Sequence, residues 1–137
     1  MFDRNKSDIF QQVIAKSLLG FAYCNLDGTL QFANDGFCKM LGISPTEIVQ
    51  KNFLEFVDPR DQSCMKQMQA LFRSGRSDSF KGDIHFCSSQ GDAFISLEAS
   101  LVRQGKSGSP NIITFLANDI TGRTRNEELL RISERRL

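Results

Sequence analysis

The sequence predicts an α+β domain, an antiparallel five-stranded sheet with helices packed on one face. Three observations predict it. The apolar period is about 3.6 in the helical segments before Gly75 and falls to about 2 after it. Strong turn and cap signals divide the chain into short elements. Those elements run helix, two strands, several short helices, three strands.

In residues 8–18, Phe10, Val13, Ile14 and Leu18 recur at helical spacing. Asp8 with Gln11 three residues on reads as a helix start. Strands are expected at Phe21–Asn25 and Thr29–Ala33, joined by Asp27-Gly28, which suits positive backbone angles. Asn34-Asp35 opens a helical turn carrying Phe37, Met40 and Leu41, and Gly42 ends it. Ser44-Pro45-Thr46-Glu47 is a second start: Ser44 caps, Pro45 fits the first position, and Glu47 can reach back. After an apolar turn at Asn52–Val57, Asp58-Pro59-Arg60-Asp61 starts a longer helix. Its apolar face is Met65, Met68 and Phe72, with Cys64 and Leu71 beside them, and Gly75 ends it.

Phe80, Gly82, Ile84 and Phe86 then alternate with polar residues, and so do Ala93, Ile95, Leu97, Ala99 and Leu101. Both runs read as half-buried strands, with a turn at Ser88–Asp92 between them. Gln104–Pro110 reads as a flexible loop. The strand Ile112–Asn118 looks apolar on both faces, so cover is expected on each side, from the first helix or a partner chain. Residues 122–137 read as a charged helix with Leu129, Leu130, Ile132 and Leu137 as its apolar positions. It stops only where the chain stops, so a longer parent protein is expected. The expected organisation is an N-terminal helical cap over 1–18, a domain over 19–121, and a linker helix over 122–137.

A length of 137 residues fits one domain, and 40% hydrophobic with 24% charged residues is ordinary for a soluble one. Seventeen basic against sixteen acidic residues leave a net charge of +1. That charge supplies no field to draw in nucleic acid or anionic lipid. No stretch approaches the about 20 apolar residues of a membrane span, and no signal core follows Met1. Cys24, Cys38, Cys64 and Cys87 are scattered and the chain has a single His, which argues against a metal cluster and for reduced thiols in the cytoplasm. No Ser-His-Asp set beyond that His, no phosphate-binding loop and no metal cluster are present, so no catalytic residue is expected. His85 falls on a strand, away from the apolar face, and reads as an exposed strand residue.

At this point three patches and a tail resemble the PAS domain family. The first is Asn25-Leu26-Asp27-Gly28-Thr29-Leu30-Gln31-Phe32-Ala33-Asn34, similar to the family's opening hairpin. The second is Leu41 to Ile48 followed by Phe56-Val57-Asp58-Pro59-Arg60-Asp61. The third, Asp119-Ile120-Thr121, looks like the family's terminal D-I-T, and Glu127–Leu137 looks like the linker to the next module.

The resemblance implies a cupped sheet closed by helices over a small cavity. The family's register and strand alternation would line it with Ala22, Cys24, Phe37, Leu41, Phe53, Met68, Phe72, Ile84, Phe86, Ile113 and Phe115. Such a lining suits a small apolar or aromatic ligand, or none. The resemblance also implies that the last strand passes a signal to the exit helix through Asp119, Thr121 and a pair between Asp119 and Arg123.

The cofactor stays unknown. The flavin-binding blue-light subtype carries a reactive Cys where this chain reads Gln50-Lys51-Asn52-Phe53, and Phe cannot form the thiol adduct. Haem-binding members use a His on the long helix, and 61–75 has none. A flavin redox sensor without the Cys stays open. Cys24 and Cys38 read as small buried residues, since a redox switch would need a lowered thiol pKa.

Two functions follow. One is a non-catalytic sensory module of a two-component or related signalling protein, detecting a small ligand or a redox or energy state. Its linked output domain would be a histidine kinase first, then a diguanylate cyclase or a second PAS domain. The other is a ligand-free interaction module forming a homodimer. Neither uses nucleic acid or a membrane contact.

Overall fold

The computed structural model describes residues 9, 12, 19–88, 91–103 and 111–121. Apart from Ile9 and Gln12, both helical and exposed, the expected helix over 8–18 lies outside them. So do the loop at 104–110 and the helix over 122–137. The elements are β1 (Gly20–Asn25), β2 (Leu30–Ala33), α1 (Asp35–Leu41), α2 (Pro45–Ile48), a 3-10 turn (Phe53–Phe56), α3 (Pro59–Ser74), β3 (Ser79–Ser88), β4 (Gly91–Val102) and β5 (Ile112–Asp119).

The five strands form one antiparallel sheet in the order β2-β1-β5-β4-β3. The last strand in sequence is therefore the central one. Register follows the pleat: Ala22 lies opposite Phe115, Cys24 opposite Ile113, Ala99 opposite Phe115 and Ile84 opposite Ile95. All of these are buried, so one face of the sheet is continuously apolar. The helices cover that face and contribute Phe37, Leu41, Ile48, Phe53, Met65, Met68 and Phe72 to the same core. Burying a side chain of this size stabilises the fold by about 1.5–3 kcal/mol.

Local chemistry sets the element ends. The Asn34 side chain caps α1 by accepting the Phe37 N–H, Ser44 caps α2 and Asp58 caps α3. Gly42 and Gly75 close α1 and α3 in the left-handed conformation. Between β1 and β2, Gly28 takes φ +95°, its N–H donates to the Asn25 carbonyl, and Asn25 N–H donates to Thr29. The pleat then shifts by a bulge between Tyr23 and Cys24.

Three expectations change. Cys64 is exposed, and its place on the buried face of α3 goes to Gln69, whose amide donates to the Leu26 carbonyl at 2.7 Å. The Gln69 amide thus holds α3 against the β1–β2 turn, a role for which an apolar residue would lack a donor. β5 is less apolar outside than expected: Thr114 and Asn118 face out, and Leu116 keeps 43% of its surface exposed. His85 is half-buried and has two side-chain partners, described below.

Candidate functional site

The eleven residues named as a lining are all buried, each with 4% or less of its surface exposed. They meet in the layer between sheet and helices. Phe53 and Phe115 touch at 5.1 Å between ring centroids, a tilted pair. Phe53 is the residue that the sequence resemblance sets against the reactive Cys of the blue-light subtype. Its neighbour Asn52 caps the 3-10 turn and donates to the Asp27 carbonyl at 2.9 Å, tying this segment to the β1–β2 turn. Under α1, a narrow gap lies among Phe37, Met40, Leu41, Phe86, Ile95 and Ala117. None of it is wide enough for a water molecule. Met40, Ile95 and Ala117 join the expected Phe37, Leu41 and Phe86 there, where α1 lies over β1 and β3.

The buried thiols are held protonated. Burial, and secondarily the Asp27 carboxylate, pushes Cys24 up to about 12. Burial and Asp35 raise Cys38 as well. A thiol in such a place is a poor nucleophile.

The second part of the site is the end of β5. Thr121 donates its hydroxyl to Asp119 Oδ1 at 2.6 Å and its N–H to the same oxygen at 2.9 Å. The Thr121 hydroxyl in turn accepts the Phe94 N–H at 2.9 Å, and the Phe94 carbonyl accepts the Ile120 N–H at 2.9 Å. The Thr121 side chain thereby completes the ladder where β5 has run out of strand. A chain of bonds ending on a carboxylate is stronger than its parts taken singly. Asp119 and Thr121 are thus brought together with Phe94. Arg123, the expected partner of Asp119, lies outside the described residues.

Sequence reasoning missed three contributors. Asn34 is buried; its amide oxygen accepts the Phe21 N–H at 2.8 Å and its amide N–H donates to the Leu19 carbonyl at 3.0 Å. Asp61 accepts both the backbone N–H and the ring Nδ1 of His85, at 2.7 and 2.8 Å. The His85 ring stands edge-on to Phe94 at 4.3 Å. An Asp in the first turn of α3 was visible in sequence. Its partner on β3 was not, since only the fold brings 61 and 85 together.

The model of the PAS domain family matches residues 18–122, and the chain belongs to this family. Among solved structures it is similar to a PAS domain from a two-component sensor histidine kinase, with TM-score 0.67, 10% identity, and coverage of 84% of this chain and 96% of that one. It is also similar to the PAS domain of a protein from Colwellia psychrerythraea, with TM-score 0.71, 14% identity, and coverage of 85% and 98%. An RNA-binding light-oxygen-voltage receptor gives TM-score 0.71 at 18% identity over 93% of this chain and 37% of that one. No curated protein matches in sequence. These likenesses are of fold. The chain is a PAS sensory domain, of a family that is generally regulatory. Among the described residues no helix is long and apolar enough to cross a membrane.

Proposed function

We propose that this PAS domain senses through the packing of its interior and delivers the result at Asp119–Thr121 to a linked output domain. A histidine kinase is the output we place first, with a diguanylate cyclase or a second PAS domain as alternatives. The observation that carries this reading is the interlock of Phe94, Thr121 and Asp119. It fastens the last residues of the central strand to the start of β4, so a change in sheet geometry must alter the direction in which the chain leaves. The ligand, if one is used, is small and apolar, and the tight space under α1 favours one that enters only as α1 moves aside. The module works in the cytoplasm, where its thiols stay reduced.

Two measurements test this. In the protein carrying its output domain, Asp119→Ala should change output while the domain still folds; unaltered output with intact folding removes Asp119 from the mechanism. Native mass spectrometry with an absorbance scan should find no tightly held chromophore; a stoichiometric one overturns the packed interior.

A homodimer is the second reading, favoured by the outer face of the sheet. Phe21, Tyr23 and Phe32 form a ring cluster there, with centroid distances of 6.2 and 5.7 Å. Leu116, directly across from Phe21, extends it toward the centre of the sheet. Mass in solution with and without residues 1–18 decides: a monomer in both argues against a dimer.

A further inference from the structure

We infer that His85 is a positioning residue, a joint through which movement of the α3 N-terminus reaches the chain's exit. The inference rests on the reading of Asp119–Thr121 as that exit.

β3 is an edge strand, so alternate backbone groups along it lack a strand partner. At His85 both groups are taken by α3. The His85 carbonyl accepts the Asp58 N–H at 2.9 Å, and its N–H donates to Asp61 at 2.7 Å. Nδ1 adds a third bond to the same Asp61 oxygen at 2.8 Å. A carboxylate only accepts, so Nδ1 carries the hydrogen. One residue of the edge strand is therefore clamped to the first turn of the long helix by three hydrogen bonds.

Phe94 lies directly opposite His85 on β4, and its backbone groups point the other way. Its N–H goes to the Thr121 hydroxyl and its carbonyl receives the Ile120 N–H. His85 and Phe94 thus form a non-hydrogen-bonded pair, the kind in which backbones approach closest and side chains press together. One spends its main-chain bonds on α3, the other on the exit. What joins them directly is the contact of imidazole edge and phenyl ring, at 4.3 Å and 63°. The bond to Asp61 fixes the ring's orientation, and only 26% and 22% of the two side chains are exposed. The pair is thereby better shielded than a surface ion pair. A tilt of α3 turns the imidazole, moves Phe94, and loads the bond that holds Thr121.

Amide hydrogen exchange of the 137-residue chain tests this. The Phe94 N–H reports opening of its bond to Thr121, and the Leu30 N–H, bonded to the Lys51 carbonyl at the opposite edge, reports the rest of the fold. Asp61→Ala and His85→Ala should each speed exchange at Phe94 by about tenfold or more beyond any change at Leu30. Equal acceleration at both amides overturns the inference, because the variants would then only lower overall stability. Should an alanine variant not fold, His85→Phe decides. It keeps an aromatic edge on Phe94 but loses the bond to Asp61, so selective acceleration at Phe94 supports the joint and an unchanged ratio of the two rates overturns it. A null result at Phe94 removes the joint and leaves the exit reading intact. A null result for Asp119→Ala output, with selective exchange at Phe94, leaves the joint and removes its signalling role.

Discussion

The side-chain oxygen of Asn34 accepts the N–H of Phe21 at 2.8 Å while capping α1 at Phe37 at 2.9 Å. One buried amide therefore closes a helix start and completes the first strand. Asn34→Ala loses a cap, worth about 1 kcal/mol, and leaves the Phe21 N–H without that acceptor, at about 1–3 kcal/mol. A loss of about 2–4 kcal/mol in urea unfolding is expected. Asn34→Asp keeps the acceptor but turns an oxygen toward the Leu19 carbonyl in place of the donor. It should fall between the two; a variant as stable as the native chain would show that the donor contributes nothing.

Gly28 and Gly75 both sit at positive φ, yet their surroundings differ. A Cβ on Gly28 would lie 2.7 Å from Asn52 Oδ1, whereas one on Gly75 would meet nothing within 4 Å. Gly75→Ala should cost only the left-handed backbone penalty, about 1 kcal/mol. Gly28→Ala carries that penalty and also displaces Asn52, which caps the 3-10 turn and bonds to Asp27. We expect about 2–3 kcal/mol there. Paired thermal melts of the two variants check the contrast, and equal losses would refute the close approach.

The periodic parts of this fold were legible because their period is local. The change from helical to strand spacing at Gly75 placed β3 and β4, and buried Ile84, Phe86, Ile95 and Leu97 follow that reading. The caps at Ser44 and Asp58 were legible for the same reason. Contacts made across the fold were not. His85 looked exposed because its own strand turns it away from the core, and nothing near it in sequence announces Asp61 or Phe94. Nothing in the sequence singles out Gln69, because the carbonyl of Leu26 that it serves is 43 residues away. Asp119 and Thr121 stood out through family resemblance alone, since their partner Phe94 is 27 residues from Thr121.

Cysteine reactivity should divide by burial. Cys64 and Cys87 are exposed, and Cys24 and Cys38 are buried. Iodoacetamide at pH 8 should modify Cys64 in the native domain, and Cys87 more slowly because partial loss of water at its sulfur, and then Asp58 and Asp92, hold its thiol up though it is exposed. Cys24, pushed up to about 12, should react only once the chain unfolds. Peptide mapping after timed alkylation reads all four. Rapid native labelling of Cys24 would mean that β1 opens far more readily than its place beside the central strand allows.

Acid should reveal the Asp58 cap. The Arg60 side chain, and then the Arg60 backbone N–H, hold the Asp58 carboxyl down to about 2. The stem-side guanidinium nitrogen Nε of Arg60 lies 2.9 Å from Oδ1. A carboxyl whose folded value is depressed gives stability that is fully present above its unfolded value, 3.8, and lost as pH falls through about 2. The contribution is therefore constant at neutral pH and fades between those two values. Asp58→Asn keeps a capping oxygen but does not titrate, so its loss relative to the native chain should be largest at neutral pH and shrink toward pH 2. Urea unfolding of both proteins across that range measures the difference. A gap that stays constant down to pH 2 would show that the Arg60 pairing gives the folded state no preference for the charged carboxylate.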